Sequence, residues 1–290
     1  MTRFGPTSQS FISQRSRMHY VDWGNTGAPL LILVHGNRDH CRSWDWTAEA
    51  LSEKWHVVAP DLRGHGDSAW SPEGRYDFAS YTYDLAQLAF ELGGEPATIV
   101  AHSMGAHIAL RYAGIYPDAV SKLIAIEAVG APGNIDVERI SAPMATRFRR
   151  WIEEHRGAAG HNARVYASVG EAQERMQAEN PRLSDDHASH LTLHGLRRTE
   201  DGDYIWKFDN YLRHWPAPDI PQSAVFALWQ NIACPTLLMF GKESWPSAMA
   251  DDLMQYVPHV RRIDIEEAGH WLHHDRFDRF IGDLQAFLDE

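Results

Sequence analysis

The chain predicts an α/β fold in which a mostly parallel sheet is flanked by helices and interrupted by one long, mainly helical insertion. Three observations carry that prediction. Short apolar runs alternate with stretches of helical period, and the links between them are short. One run, Ala97-Thr98-Ile99-Val100-Ala101-His102, passes through Ser103 straight into the helical stretch Met104-Gly105-Ala106-His107-Ile108-Ala109-Leu110. The alternation stops after Ala131-Pro132-Gly133 and resumes only at Pro235-Thr236-Leu237-Leu238-Met239-Phe240-Gly241.

The elements follow in order. Phe11–Ile12 and Met18–Trp23 are expected as two short strands, closed by Gly24-Asn25-Thr26-Gly27. Leu30–Val34 is apolar without alternation, the mark of a parallel strand buried on both faces, and it ends in His35-Gly36-Asn37. A helical stretch around Trp46–Leu51 leads to a strand at His56–Pro60 and the glycine-bearing loop Asp61-Leu62-Arg63-Gly64-His65-Gly66-Asp67-Ser68. Tyr81–Leu92 has apolar residues at helical spacing and stops at Gly93-Gly94. The serine strand and its helix come next, then a strand at Ser121–Ile126 that ends on Glu127. Right-handed crossovers between parallel strands fit this order. The interruption is polar, of helical period, and rich in Trp, Arg and His, with a hairpin expected at Leu196–Arg198 and Tyr204–Phe208. A strand near Val260–Ile265 and a helix over Arg276–Leu288 finish the chain. Residues 1–131 and 231–290 are therefore assigned to one catalytic domain, and 132–230 to a cap over the carboxyl-end face, where open α/β sheets bind ligands.

Composition excludes several classes. At 290 residues, 44% of them hydrophobic, the chain can bury a large core and is not a disordered one. A net charge of −12 argues against nucleic acid or an anionic membrane surface as partner. Cys41 and Cys234 are too few for a disulfide framework. Neither a signal-peptide core nor a transmembrane run is read, so a cytoplasmic protein, monomer or homodimer, is expected.

Ser103 stands between Ala101 and Gly105, the nucleophile-elbow spacing G-x-S-x-G with alanine at its first position. A serine in a strained, positive-φ turn crowds the residues two before and two after it, so both must be small. Taken in order, His35-Gly36-Asn37, Asp61-Leu62-Arg63-Gly64-His65-Gly66, Ala101-His102-Ser103-Met104-Gly105 and Ala268-Gly269-His270 resemble an α/β-hydrolase of the cap-bearing serine hydrolase branch, from about Leu30 to the C-terminus. The resemblance implies Ser103 as nucleophile, His270 as its base, and an oxyanion hole from the backbone N–H groups of Asn37 and Met104. It assigns the Asp61–Ser68 loop to structure and His35 to buttressing. His273 and His274 are expected at the surface. A metal held by the three late histidines lacks the helical i, i+4 pair with a third ligand, so no metal and no cofactor is expected.

The acid is where the chain departs from the commonest pattern of that family, which puts aspartate three residues after the glycine closing the strand. Here the segment reads Gly241-Lys242-Glu243-Ser244, with serine at that place. Glu243 is one residue early. Glu127, at the end of the strand after the elbow helix, matches the acid position of some capped members, and a glutamate ending an apolar strand needs a partner. Glu127 is favoured and Glu243 is the alternative.

The expected activity is hydrolysis of a small-molecule carboxylic ester or lactone through an acyl-enzyme on Ser103. Dehalogenases and epoxide hydrolases of similar sequence carry aspartate in its place. The same residues are compatible with carbon–carbon bond hydrolysis of a dioxo acid, with a cofactor-free haloperoxidase side activity, or with a non-enzymatic ligand receptor. Aromatic residues of the insertion (Trp151, Trp206, Trp215, Trp229, Tyr166, Tyr204, Tyr211 and Phe226) serve either an apolar substrate slot or packing, and Arg149, Arg150, Arg197 and Arg198 are read as a solvated face, with contact to a substrate carboxylate as the alternative.

Overall fold

A computed structural model describes residues 5–128, 142–159, 163–214, 220–244 and 254–290. Eight strands form one sheet in the order β1-β2-β4-β3-β5-β6-β9-β10: β1 (Thr7–Ser13), β2 (Ser16–Asp22), β3 (Leu30–Val34), β4 (His56–Pro60), β5 (Ala97–His102), β6 (Val120–Ile126), β9 (Thr236–Gly241) and β10 (Val260–Ile265). The β1–β2 and β2–β4 pairs are antiparallel and every pair from β4 to β10 is parallel. Helices α1 (Asp45–Leu51), α2 (Phe78–Glu91), α3 (Met104–Ile115), α8 (Leu272–Asp275) and α9 (Phe277–Leu288) belong to this sheet unit.

The uninterrupted apolar runs become strands with a core on each face. Ile32 and Val34 of β3 pack on one side with α2 and α3, while Leu31 and Leu33 pack on the other with Trp44, Phe280 and Leu284. Period-two alternation thus feeds two clusters from a single strand. The first two strands are longer than their apolar residues suggest. Their partners run from Thr7↔Asp22 to Ser13↔Ser16, through a two-residue turn at Gln14 and Arg15, with φ of 47° and 65°.

Between β6 and β9 the chain adds α4 (Met144–Ala158), α5 (Val169–Glu179), α6 (Asp185–Gly195), the hairpin β7–β8 (Leu196–Arg198 and Tyr204–Trp206), a 3₁₀ turn at Asn210–Arg213 and α7 (Gln222–Trp229). The start of this insertion, where residues 131 and 132 were expected to divide two domains, lies outside the described residues, as does Trp215. The inserted segment touches the loops that follow the carboxyl ends of β3, β4 and β9. Asn37 Nδ2 donates to Leu212 O at 3.1 Å, Asp209 N donates to Gly64 O at 2.9 Å, and Arg182 pairs with Glu243. Its aromatic residues mostly pack. Trp229 is buried in the core beside α3, Phe226 stacks on Tyr256 at 4.0 Å, and Tyr166 lies edge-on to Trp206. Among the described residues no helix is long and apolar enough to cross a membrane.

Candidate active site

The site begins with backbone. Ser103 leaves β5 at φ 52° and ψ −119°, a conformation that an L-residue holds only when its surroundings enforce it. Two hydrogen-bonding neighbours do so: Ser103 N donates to Ile126 O at 2.8 Å, and His107 N donates back to Ser103 O at 3.2 Å. A Cβ on Gly105 would meet His35 O at 2.4 Å, so only glycine lets the elbow helix start this close to the β3 loop. Gly36 is pressed on from the other side, where an added Cβ would lie 3.2 Å from the Cβ of Ser103. Strand β3 therefore delivers residues 36 and 37 directly against the serine. Among the described residues, the backbone N–H groups of Asn37 and Met104 have no hydrogen-bond partner, and Met104 opens α3 with its positive dipole end.

Three side chains then line up. His270 Nε2 lies 3.0 Å from Ser103 Oγ, and its Nδ1 lies 3.3 Å from Glu127 Oε2. Glu127 is 2% exposed and would be costly without donors. It has them: Gly241 N donates to Oε1 at 2.6 Å and Ser244 Oγ donates to Oε2 at 2.6 Å. With Nδ1–H directed at the carboxylate, the Nε2 lone pair of His270 faces the serine hydroxyl. Ser244 thus occupies the usual place of the acid, and it hydrogen-bonds to the carboxylate that arrives from the neighbouring strand end.

Glu243 is not brought to this line. Its carboxylate is about half exposed and ion-paired with Arg182, and its backbone N–H donates to Ala268 O at 2.9 Å. In the turn closed by Ser244 N–H donating to Gly241 O at 3.0 Å, Glu243 faces out and Ser244, 8% exposed, faces in.

The surrounding histidines hold the frame. Buried His35 donates from Nδ1 to Gly36 O at 2.7 Å and accepts Leu62 N–H at Nε2 at 2.9 Å, which fixes the neutral ring and braces the Asn37 loop. Burial holds its pKa below the ordinary histidine value. His102 donates from Nε2 to the carbonyl of His270 at 2.8 Å, and burial, reinforced by His270, holds it well below that value too. Asp61 accepts from Cys41 N, Asp67 N and His19, so that loop is structural. His273 and His274, expected at the surface, are 1% and 7% exposed. The short helix α8 turns them inward, with His273 stacked on Trp44 at 4.7 Å. The adjoining Trp271-Leu272 pair, of which Leu272 is fully buried, is the signal in the sequence that places this turn against the core.

Comparison with known proteins agrees with the architecture. The alpha/beta hydrolase fold family matches residues 29–277, and the chain belongs to that family. Esterase Rv0045c from Mycobacterium tuberculosis is 26% identical over 294 residues, covering 98% of this chain and 91% of its own. Epoxide hydrolase 4 from Mus musculus is 27% identical over 295 residues, covering 94% and 77%. Among solved structures, the thioesterase domain from the curacin biosynthetic pathway superposes with a TM-score of 0.82 at 20% identity, covering 97% of this chain and all of that one. The protein is a hydrolase of this fold.

Proposed function

We propose that the protein cleaves a carboxylic ester or lactone through an acyl-enzyme on Ser103. The observation that carries this reading is the hydrogen-bonded line from Ser103 Oγ through His270 to Glu127. His270 Nε2 takes the hydroxyl proton as Ser103 attacks the carbonyl carbon. Glu127 stabilises the imidazolium that results and keeps the ring in the tautomer that presents Nε2. The backbone N–H groups of Asn37 and Met104 receive the oxyanion. The proton then passes from His270 to the leaving alcohol, and water, activated by the same imidazole, releases the acid. Residues 132–230 serve as the cap that closes over the carboxyl-end face. No metal or cofactor takes part in these steps.

A serine at this place supports the esterase reading over an epoxide hydrolase one, which would need a carboxylate nucleophile. Glu127 stands behind His270 and is already engaged by Gly241 and Ser244. The name of the mycobacterial relative points the same way. The test is hydrolysis of p-nitrophenyl esters of graded acyl length by wild type and Ser103→Ala. Turnover should fall by about 10⁴-fold or more in the variant, to the level that binding and oxyanion donors alone support. Equal turnover by the two proteins would overturn the assignment.

A further inference from the structure

Inserted helix α6 carries His190 and His194 one turn apart, on the face turned to the sheet unit. Their ring centroids are 4.5 Å apart. Asp45, the first residue of α1, comes from the other side, with its side chain only 10% exposed. His190 Nε2 lies 3.1 Å from Asp45 Oδ2, and one ligand atom each from Asp45, His190 and His194 lie within 4.8 Å of one another. We propose that Asp45, His190 and His194 form a divalent transition-metal site that pins the inserted segment to the catalytic domain.

The donor set suits the purpose. Two imidazoles at i and i+4 with a carboxylate make a three-ligand site that leaves a position for water, and ions such as Zn²⁺ or Co²⁺ accept it. Ligand atoms about 3.3 Å apart suit tetrahedral bonds of ~2.0–2.1 Å, so closure asks for a shift on the order of 1 Å. Without a metal, a different cation holds the place. Arg42 Nε donates to Asp45 Oδ1 and Oδ2 at 2.9 and 2.7 Å, and its Nη1 lies 3.4 Å from His194 Nδ1. A guanidinium can only donate, so the lone pair of His194 Nδ1 already points into the cluster. Binding a metal requires Arg42, whose side chain is 28% exposed, to turn out to solvent. His190, which donates from Nε2 to Arg42 O or Asp45, moves that proton to Nδ1. Charge at Asp45 stays compensated throughout. The second histidine–carboxylate group, His19, Cys41 and Asp61, is fully buried, and its carboxylate already accepts from Cys41 N, Asp67 N and His19, so it offers a metal neither entry nor free lone pairs.

The experiment is titration of the full-length protein with Co²⁺ alone, followed by its visible absorption. Saturable binding at one site is expected, with intense bands of low coordination number and no thiolate-to-cobalt band in the near ultraviolet. His190→Ala or His194→Ala should weaken it by more than the ~10–100-fold that loss of a mere outer-shell partner costs. Arg42→Gln should tighten it by about tenfold, because the competing cation is gone. That gain separates a metal site from a salt-bridge network, which the same substitution only weakens. Unsaturable binding, binding indifferent to both histidine variants, or a thiolate band assigning the metal to Cys41 would each overturn the proposal.

Discussion

Two neighbouring strand ends, those of β6 and β9, present acidic residues towards the same face, and they fare differently. At the end of β6, Glu127 sits at φ 53° with its carboxylate buried and its oxygens filled by Gly241 N–H, Ser244 Oγ and His270 Nδ1. At the end of β9, Glu243 lies half exposed and pairs with Arg182 of the inserted segment. Position along the chain therefore does not decide which carboxylate serves a histidine. The decision comes from which one is desolvated and held by donors, since only a low-dielectric, pre-ordered carboxylate distinguishes one imidazole tautomer strongly.

The comparison can be broken most directly at Glu127. Glu127→Gln should lower kcat by on the order of 10³–10⁴-fold, with the fold retained, because the amide can hold the wrong tautomer. Esterase assays alongside circular dichroism check this, and a loss of less than tenfold would remove Glu127 from the mechanism. Ser244→Ala should cost less, about tenfold in kcat, since one hydrogen bond to a charged group is worth roughly 1.5–3 kcal/mol and Gly241 N–H remains. A drop as large as that of Glu127→Gln would mean that Ser244 does more than hold the carboxylate. Glu243→Gln should change kcat/KM by less than about twofold, as expected for an exposed ion pair. A loss on the scale of the Glu127 variant would exchange the roles of the two strand ends.

The same two strand ends show what the sequence could and could not reveal. The apolar runs at Leu30–Val34 and Ala97–His102 announced a parallel sheet, because strands covered on both faces tolerate no polar alternation. The small residues around Ser103 announced the elbow, because sterics leave little choice there. The sequence favours Glu127 over Glu243 only narrowly, since burial at a loop depends on the turn from Gly241 to Ser244. There an added Cβ on Gly241 would lie 2.3 Å from Gly269 O. Such a contact joins segments far apart in the chain and leaves no local pattern. The edge strand β1 extends beyond its expected Phe11–Ile12 for a related reason: four of its seven residues are exposed polar ones in succession, a pattern shared with loops. His273 and His274 are covered in part by neighbours along the chain, Trp271 and Phe280, but Trp44 and Trp46, which complete that cover, lie far away in sequence.

Mass spectrometry of the enzyme quenched during turnover of p-nitrophenyl acetate shows whether Ser103 becomes acylated. One acetyl group per chain is expected, on the peptide carrying Ser103, and none in Ser103→Ala. Turnover that is sustained while Ser103 stays unmodified, or an acetyl group carried by another residue, would contradict the acyl-enzyme on Ser103.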